Sequence, residues 1–251
     1  MSLLSRLAPR GARPPSERDW ERSAVLEPRV VRQHPELISD GGGLPFPPAA
    51  LTSPPEWLDP DEPAVAALIA ELNPQTAVQR AFRAPWKGDA VPPPARSGIE
   101  GWRVLARSDE EVLFGRGQPP ELLTVAVRRA GRSRTWKGVG VSRARPLRAA
   151  RDGVRASSWR LDPAQDLAPS DTLLRVLVTE QTYSGAQRAD GRVLAPDLYV
   201  HGDELVLTMF VTPRPGFQVR APNPETGVRV ALPQPVGARQ LIDGALYEPD
   251  S

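Results

Sequence analysis

The chain has 251 residues, a formal net charge of +2 and no cysteine. The absence of cysteine excludes disulfides, thiolate nucleophiles and sulfur metal ligands, and the near-neutral charge does not by itself predict a polyanionic partner. Proline is in excess, with 30 residues of which 17 fall within residues 1–96, so this first part is not mainly sheet or long helix.

Residues 1–96 are predicted to form an extended proline-rich N-terminal arm that contains short helices. Ser16 to Asp19 matches a capping box, which predicts a short helix near residues 19–26, before Pro28. The arm also carries apolar residues for which a freely disordered linker has little use, so we expect it to lie on its own C-terminal domain or on another subunit. Its candidate docking residues are Trp20, Phe46, Trp57, Leu68, Ile69 and Phe82.

A pair of short helices is predicted over residues 59–83. Asp59 suits the N-cap and Pro60 the first helical position, and apolar residues follow at the spacing of one helical stripe. The stripe consists of Val65, Leu68, Ile69 and Leu72. Asn73-Pro74 ends this helix and can cap a second one, and internal packing is the favoured role of the stripe over a partner groove.

Residues 97–251 are predicted to form an all-β domain, because the hydrophobic period changes to that of strands from Gly101 onward. The predicted strands are 102–107, 111–114, 122–128, 134–141, 157–161, 172–180, 205–212 and 228–232. Residues 205–212 are apolar on both faces, which predicts a strand in the middle of a packed layer. The fold class is therefore mainly β, as an antiparallel β-sandwich or small barrel.

The C-terminal part resembles an uncharacterised domain of actinobacterial proteins, many of them secreted or envelope-associated. The fragments that carry the likeness are GWRVLAR at 101–107, VLFGRG at 112–117, WRLDP at 159–163, VLVTE at 176–180, Ser184-Gly185, and LPQPVGAR at 232–239 followed by Leu241 and Asp243-Gly244. The resemblance implies a cysteine before the Ser-Gly and another before Asn223-Pro224, where this chain has Tyr183 and about Arg220. It implies a fold and a lineage but no activity.

No catalytic, cofactor-binding or metal-ligating residue is predicted. His34 lies in the arm beside Pro35, and the run His201-Gly202-Asp203-Glu204 is better interpreted as a solvated turn than as a metal site. The chain lacks a nucleophile elbow, a P-loop and a dinucleotide fingerprint. Carboxylates that can pair only in space are Glu180, Asp197, Asp203 and Asp243.

A basic stretch at residues 128–160 stands above the background, with eleven basic residues against one acid. Its candidate contacts to an anion or a partner are Arg128, Arg129, Arg132, Arg134, Lys137, Arg143, Arg145 and Arg148. The arginines either contact phosphates, with Trp136 and Trp159 available for stacking, or occupy the solvent face of strands and blunt an exposed edge. The second interpretation is favoured, and an acidic protein surface would satisfy the same cations.

The leading functional hypothesis is a non-enzymatic structural or binding protein, a subunit of a larger assembly that its N-terminal arm holds together. A phage-like particle is one such assembly. The alternative is a nucleic-acid-binding module that uses residues 128–160, and the third hypothesis is a carboxylate-dependent hydrolase. A protein partner or self-association is expected, without a cofactor. The chain shows no run of about 20 apolar residues and no apolar signal core, so we expect it in the cytoplasm or within a larger particle.

Overall fold

The computed structural model describes residues 15–55, 57–73, 99–131, 134–143, 145–181, 184–216 and 221–249. Its helices are α1 (Glu17–Arg22), α2 (Ala49–Thr52) and α3 (Pro63–Leu72). Its strands are β1 (Val25–Leu26), β2 (Arg29–Val30), β3 (Leu37–Ser39), β4 (Trp102–Arg107), β5 (Glu111–Arg116), β6 (Leu123–Ala130), β7 (Thr135–Arg143), β8 (Arg148–Arg151), β9 (Val154–Leu161), β10 (Leu173–Thr179), β11 (Asp197–His201), β12 (Glu204–Phe210), β13 (Thr226–Ala231) and β14 (Gln240–Asp243).

The chain divides into two compact units. Unit 1 comprises Met1–Pro35 and Ala149–Leu246, and unit 2 comprises Glu36–Arg148 and Tyr247–Ser251. Each unit therefore contains residues from both sides of the boundary predicted between residues 96 and 97, and that boundary itself lies outside the described residues.

Unit 1 is a curled sheet that the N-terminal segment closes. Its strands follow the order β1-β13-β10-β9-β12-β11-β2, so β1 and β2 lie at opposite ends of the order. In the chain, however, only Glu27 and Pro28 separate these two strands. Such a connector spans about 10 Å at most, so the two ends of the sheet must approach each other. The predicted mainly β fold with a small barrel is confirmed.

The sheet of unit 1 is mixed rather than purely antiparallel. The pairs β9–β10, β10–β13 and β11–β12 are antiparallel, as the sequence predicts. The short strands β1, β2 and β14 instead pair parallel with β13, β11 and β12. These strands reach their partners by long connections rather than by hairpins, which is what a parallel pair requires.

Alternating residues of β10 and β12 form the core of unit 1. Leu174, Val176 and Val178 of β10 are fully buried there together with Leu207 and its neighbours of the same face. Strand β12 has hydrogen-bonded neighbours on both sides and buried residues on both faces. The prediction that this strand lies in the middle of a packed layer is therefore confirmed.

Unit 2 contains a four-stranded antiparallel sheet in the order β4-β5-β6-β7, which the arm covers on both faces. Val112 and Phe114 of β5 pack in one cluster with Leu68 of α3, whereas Leu113 packs in another with Phe46. Because successive side chains of a strand point to opposite faces, the two clusters lie on opposite sides of the sheet. Residues of the predicted arm thus complete both hydrophobic cores of this unit.

The two predicted helix starts are confirmed in kind, with shifted bounds. Ser16 and Asp19 form the capping box, but α1 ends at Arg22 because the next apolar residues enter β1. Helix α3 begins at Pro63 rather than near Pro60, because the carboxylate of Asp59 accepts the backbone N–H of Asp61 and holds a turn there. The second helix predicted after Asn73 lies outside the described residues. Within the described ranges, no helix is long and apolar enough to span a membrane.

Trp20 is expected to be a major source of stability for unit 1. Its side chain is only 2% exposed, and a Cβ added to Gly227 would lie 3.2 Å from the indole ring. Trp20→Ala should therefore lower the free energy of unfolding by about 3–5 kcal/mol. Trp57→Ala is the matched control, because Trp57 is 84% exposed and its loss should cost at most about 0.5 kcal/mol. Chemical denaturation followed by circular dichroism measures both, and equal losses would contradict this role of Trp20.

Candidate functional site

The predicted docking residues of the arm fall into two groups. Trp20 is buried in unit 1, and Phe46 and Leu68 are fully buried in unit 2, so these side chains are used within their own units. Trp57 and Ile69 are instead exposed, at 84% and 39%. Phe82 lies outside the described residues. The exposed pair is the part of the arm that remains accessible to a partner.

Trp57 is held in solvent by a segment that is anchored on both sides. Before it, Leu51 is buried, and its carbonyl accepts a hydrogen bond of 2.6 Å from Nε2 of Gln118. The carbonyl of Ser53 accepts another, of 2.7 Å, from the guanidinium of Arg103. After it, Leu58 packs against α3. A large apolar ring that is fixed in water at a defined place is characteristic of a binding residue.

The basic stretch is largely neutralised by carboxylates of the same unit. Arg128 bonds to Glu111 at 2.5 Å and Arg160 to Glu225 at 2.6 Å. Arg134 and Arg151 likewise form ion pairs, with Glu110 and Asp197. These contacts support the interpretation of the arginines as a solvated strand face.

A smaller cationic group remains exposed in unit 2. The guanidinium of Arg129 lies 5.0 Å from the centre of the Trp136 ring, and Lys137, Arg143 and Arg145 are exposed along or just after β7. Arg148 is half-buried at the start of β8, and Arg132 lies outside the described residues. The fold thus separates the predicted contact residues into paired, stacked and exposed cations.

Asp197 is the centre of a polar cluster on β11 of unit 1. Its carboxylate receives two hydrogen bonds of 2.9 Å from Arg29 of β2 and also binds the guanidinium of Arg151. The Asp197 side chain is 9% exposed and that of Arg151 is 14% exposed, so this pair is shielded from water. The cluster fixes β2 against β11 by a bidentate contact.

The two histidines of the chain meet beside this cluster. Tyr199 stacks between them, with ring centroids 6.4 Å from His34 and 5.8 Å from His201. Nε2 of His34 lies 2.5 Å from the hydroxyl of Thr208, and the hydroxyl of Tyr199 lies 3.3 Å from Nδ1 of His201. Alternation along β11 was a local signal for Tyr199 and His201, but nothing in the sequence near His34 indicated this contact.

The predicted turn at His201-Gly202-Asp203-Glu204 is confirmed. It is the two-residue hairpin between β11 and β12, with Gly202 at a positive φ of 56° that favours glycine. Among the described residues, no group of three or more His, Asp or Glu side chains is arranged to hold a metal ion.

The remaining candidate carboxylates have structural partners. Glu180 forms a bidentate ion pair with Arg192 at 2.9 and 2.7 Å, and its side chain is 3% exposed. Asp243 accepts the backbone N–H groups of Trp159 and Ala245. Each of these carboxylates therefore stabilises a local arrangement of the chain.

Two open polar clefts lie in unit 1. One, of about 460 Å³, is lined by Asp19, Arg22, Arg188 and Asp190 among others, and the second, of about 480 Å³, by Asp166, Asp171 and Arg175. Arg188 pairs with Asp190 and Arg175 with Glu17, so charges of both signs are already matched at the walls.

No family model, curated protein or solved structure matches this chain. The resemblance to an actinobacterial domain therefore stays a prediction, and its two expected cysteine positions lie outside the described residues. The neighbouring residues of these positions are joined without a disulfide. The amide oxygen of Asn223 accepts hydrogen bonds of 3.0 Å from the backbone N–H and 2.8 Å from the hydroxyl of the buried Ser184.

Acidification should weaken unit 1 through His34. Burial lowers the pKa of His34 from its usual 6.5, and the nearby charge of Asp197 only partly opposes this. As the pH falls below about 6.5, the unfolded chain binds a proton that the folded chain does not, so stability is lost until the lower folded pKa is passed. The groups that surround this imidazole are Arg29, Arg151, Asp197, Tyr199, His201 and Thr208.

Denaturation at about pH 7.5 and about pH 5.5 measures this effect. His34→Gln should lose less stability on acidification than the wild type does, and His201→Gln is the control that removes the exposed histidine. Identical pH dependence in the wild type and His34→Gln would contradict the assignment.

Proposed function

We propose that the protein is a non-enzymatic binding or structural protein, a subunit of a larger assembly, which contacts its neighbour through the N-terminal arm with Trp57 as the anchor. The observation that carries the proposal is the 84% exposure of Trp57 between the buried residues Leu51 and Leu58. Such an assembly would lie in the cytoplasm or within a larger particle.

The division of work within the arm supports this proposal. Trp20, Phe46 and Leu68 stabilise their own units, whereas Trp57 contributes little burial to its own unit. Tryptophan is enriched among the residues that dominate binding energies, because it buries a large area at a small entropic cost. The carboxylates that a hydrolase would need are bonded to arginines or backbone N–H groups, which favours a binding role.

Trp57→Ala should abolish association while the fold is retained. The tagged chain, the Trp57→Ala variant and a Val139→Ala control are purified from the native host after nuclease treatment, and stoichiometric partners are identified by mass spectrometry. A photoreactive amino acid at position 57 then tests direct contact. Loss of an anchoring tryptophan weakens binding by about 30-fold or more, and Val139 is a matched control because it is an exposed apolar residue outside the arm.

Retention of the same partner by Trp57→Ala, or photo-crosslinks at position 57 to no partner chain, would contradict the proposal. A chain that is monomeric and free of partners in all three forms would contradict it as well.

A nucleic-acid-binding module is the second candidate. It is favoured by one observation, the stacking of Arg129 on Trp136 beside the exposed Lys137 and Arg143 of β7. Binding of a single-stranded oligonucleotide should weaken steeply with salt, and Lys137→Ala with Arg143→Ala should reduce the salt slope by about 1.4. A flat titration at low salt would remove this candidate.

A further inference from the structure

The N-terminal segment, defined as residues 15–35, completes unit 1 by occupying a surface that the rest of that unit provides. This acceptor surface consists of the outer edges of β11 and β13 and the side chains of Arg175, Asp197, Thr208 and Arg229. Both partners of the contact are present in every copy of the chain.

At β13, the segment is held by apolar, ionic and backbone contacts together. The Trp20 ring covers Gly227, where a larger side chain would collide with it. Glu17 pairs with Arg175, with one hydrogen bond of 2.8 Å, and the guanidinium of Arg229 donates to the carbonyl of Ser23 at 2.9 Å. Val25 of β1 then lies in register with Arg229.

At β11, the contact depends on a second and independent set of groups. The backbone N–H of Arg29 donates to the carbonyl of Pro196 at 2.7 Å, and that of Val31 to Leu198 at 2.9 Å. The Arg29 guanidinium binds Asp197 in a bidentate manner. The recognition is therefore specific at both ends of the sheet.

The order of the chain places a folded unit between the segment and its acceptor surface. The segment ends at Pro35, unit 2 takes residues 36–148, and the main part of unit 1 begins at Ala149. No short loop obliges the segment to bind its own chain. Every contact that it makes can be reproduced without change on the acceptor surface of a second copy, which is the condition for exchange of an element between protomers.

We propose that neighbouring copies of this chain exchange their N-terminal segments, so that each copy closes the curled sheet of another. The occupant is a second copy because the ion pairs, strand registers and tryptophan contact are all made by this chain's own segment. The inference rests on the proposed assembly, within which copies are close enough to compete with the intramolecular contact, whose effective concentration is of the order of millimolar for a short flexible link.

The experiment uses the absence of native cysteine. A copy with Val25→Cys and one tag is co-expressed with a copy that carries Arg229→Cys and a different tag, and the complex is isolated through both tags after mild oxidation. Adjacent strands lie about 4.8 Å apart, which is within the distance that a disulfide bridges. Only a segment bound to the other copy can join positions 25 and 229, because each chain carries one thiol.

The expected result is a covalent heterodimer whose 25–229 linkage is found by peptide mass spectrometry, at about tenfold or more above that of a control pair of Val139→Cys and Arg229→Cys. A second pair, Arg29→Cys with Asp197→Cys, tests the β11 end independently if Arg229→Cys folds poorly. Recovery of the interchain linkage at no more than the control level in both pairs would overturn the proposal. The exchange then fails on its own, since association that depends on Trp57 is measured separately.

Discussion

The short connector Glu27-Pro28 is the constraint on which unit 1 depends. It joins two strands that lie at opposite ends of the sheet, so the sheet can exist only in a curled form. Pro28 has no backbone N–H and a fixed φ, which suits a position that belongs to neither ladder. The strands on either side cover the outer edges of β13 and β11. A single segment thereby removes two edges that would otherwise be open to pairing with other chains.

The proline-rich composition of the first part of the chain is consistent with this role. Strands of two residues and a six-residue helix need few backbone hydrogen bonds, so prolines around them cost little. Binding energy comes instead from side chains, such as Trp20 on Gly227 and Arg29 on Asp197. Unit 2 uses its part of the arm in the same way, with Phe46 and Leu68 on opposite faces of one sheet. The arm is thus part of the core of both units.

Local patterns were sufficient to predict the longer elements and insufficient for the rest. Strands such as β4 and β10 have a clear period of two over six or seven residues, and the capping box at Ser16 is a local signal. Strands β1 and β2 are too short to show any period, and their parallel partners lie about 200 and 170 residues away. The contact of His34 with Thr208 and Tyr199 has the same origin, because it forms only once β2 lies beside β11.

Magnitudes decide between a protein partner and a polyanion. A phosphate that approached Arg128, Arg134 or Arg160 would first compete with their carboxylate partners, and each exposed ion pair contributes about 0.2–1 kcal/mol. Its gain would be screened by salt. Burial of an indole that is 84% exposed removes about 150 Å² or more from water, worth roughly 4 kcal/mol, and no existing contact must break. The accessible binding energy of the described surface is therefore apolar at Trp57 rather than ionic along the basic stretch, and a protein surface with a complementary pocket is the ligand that uses it.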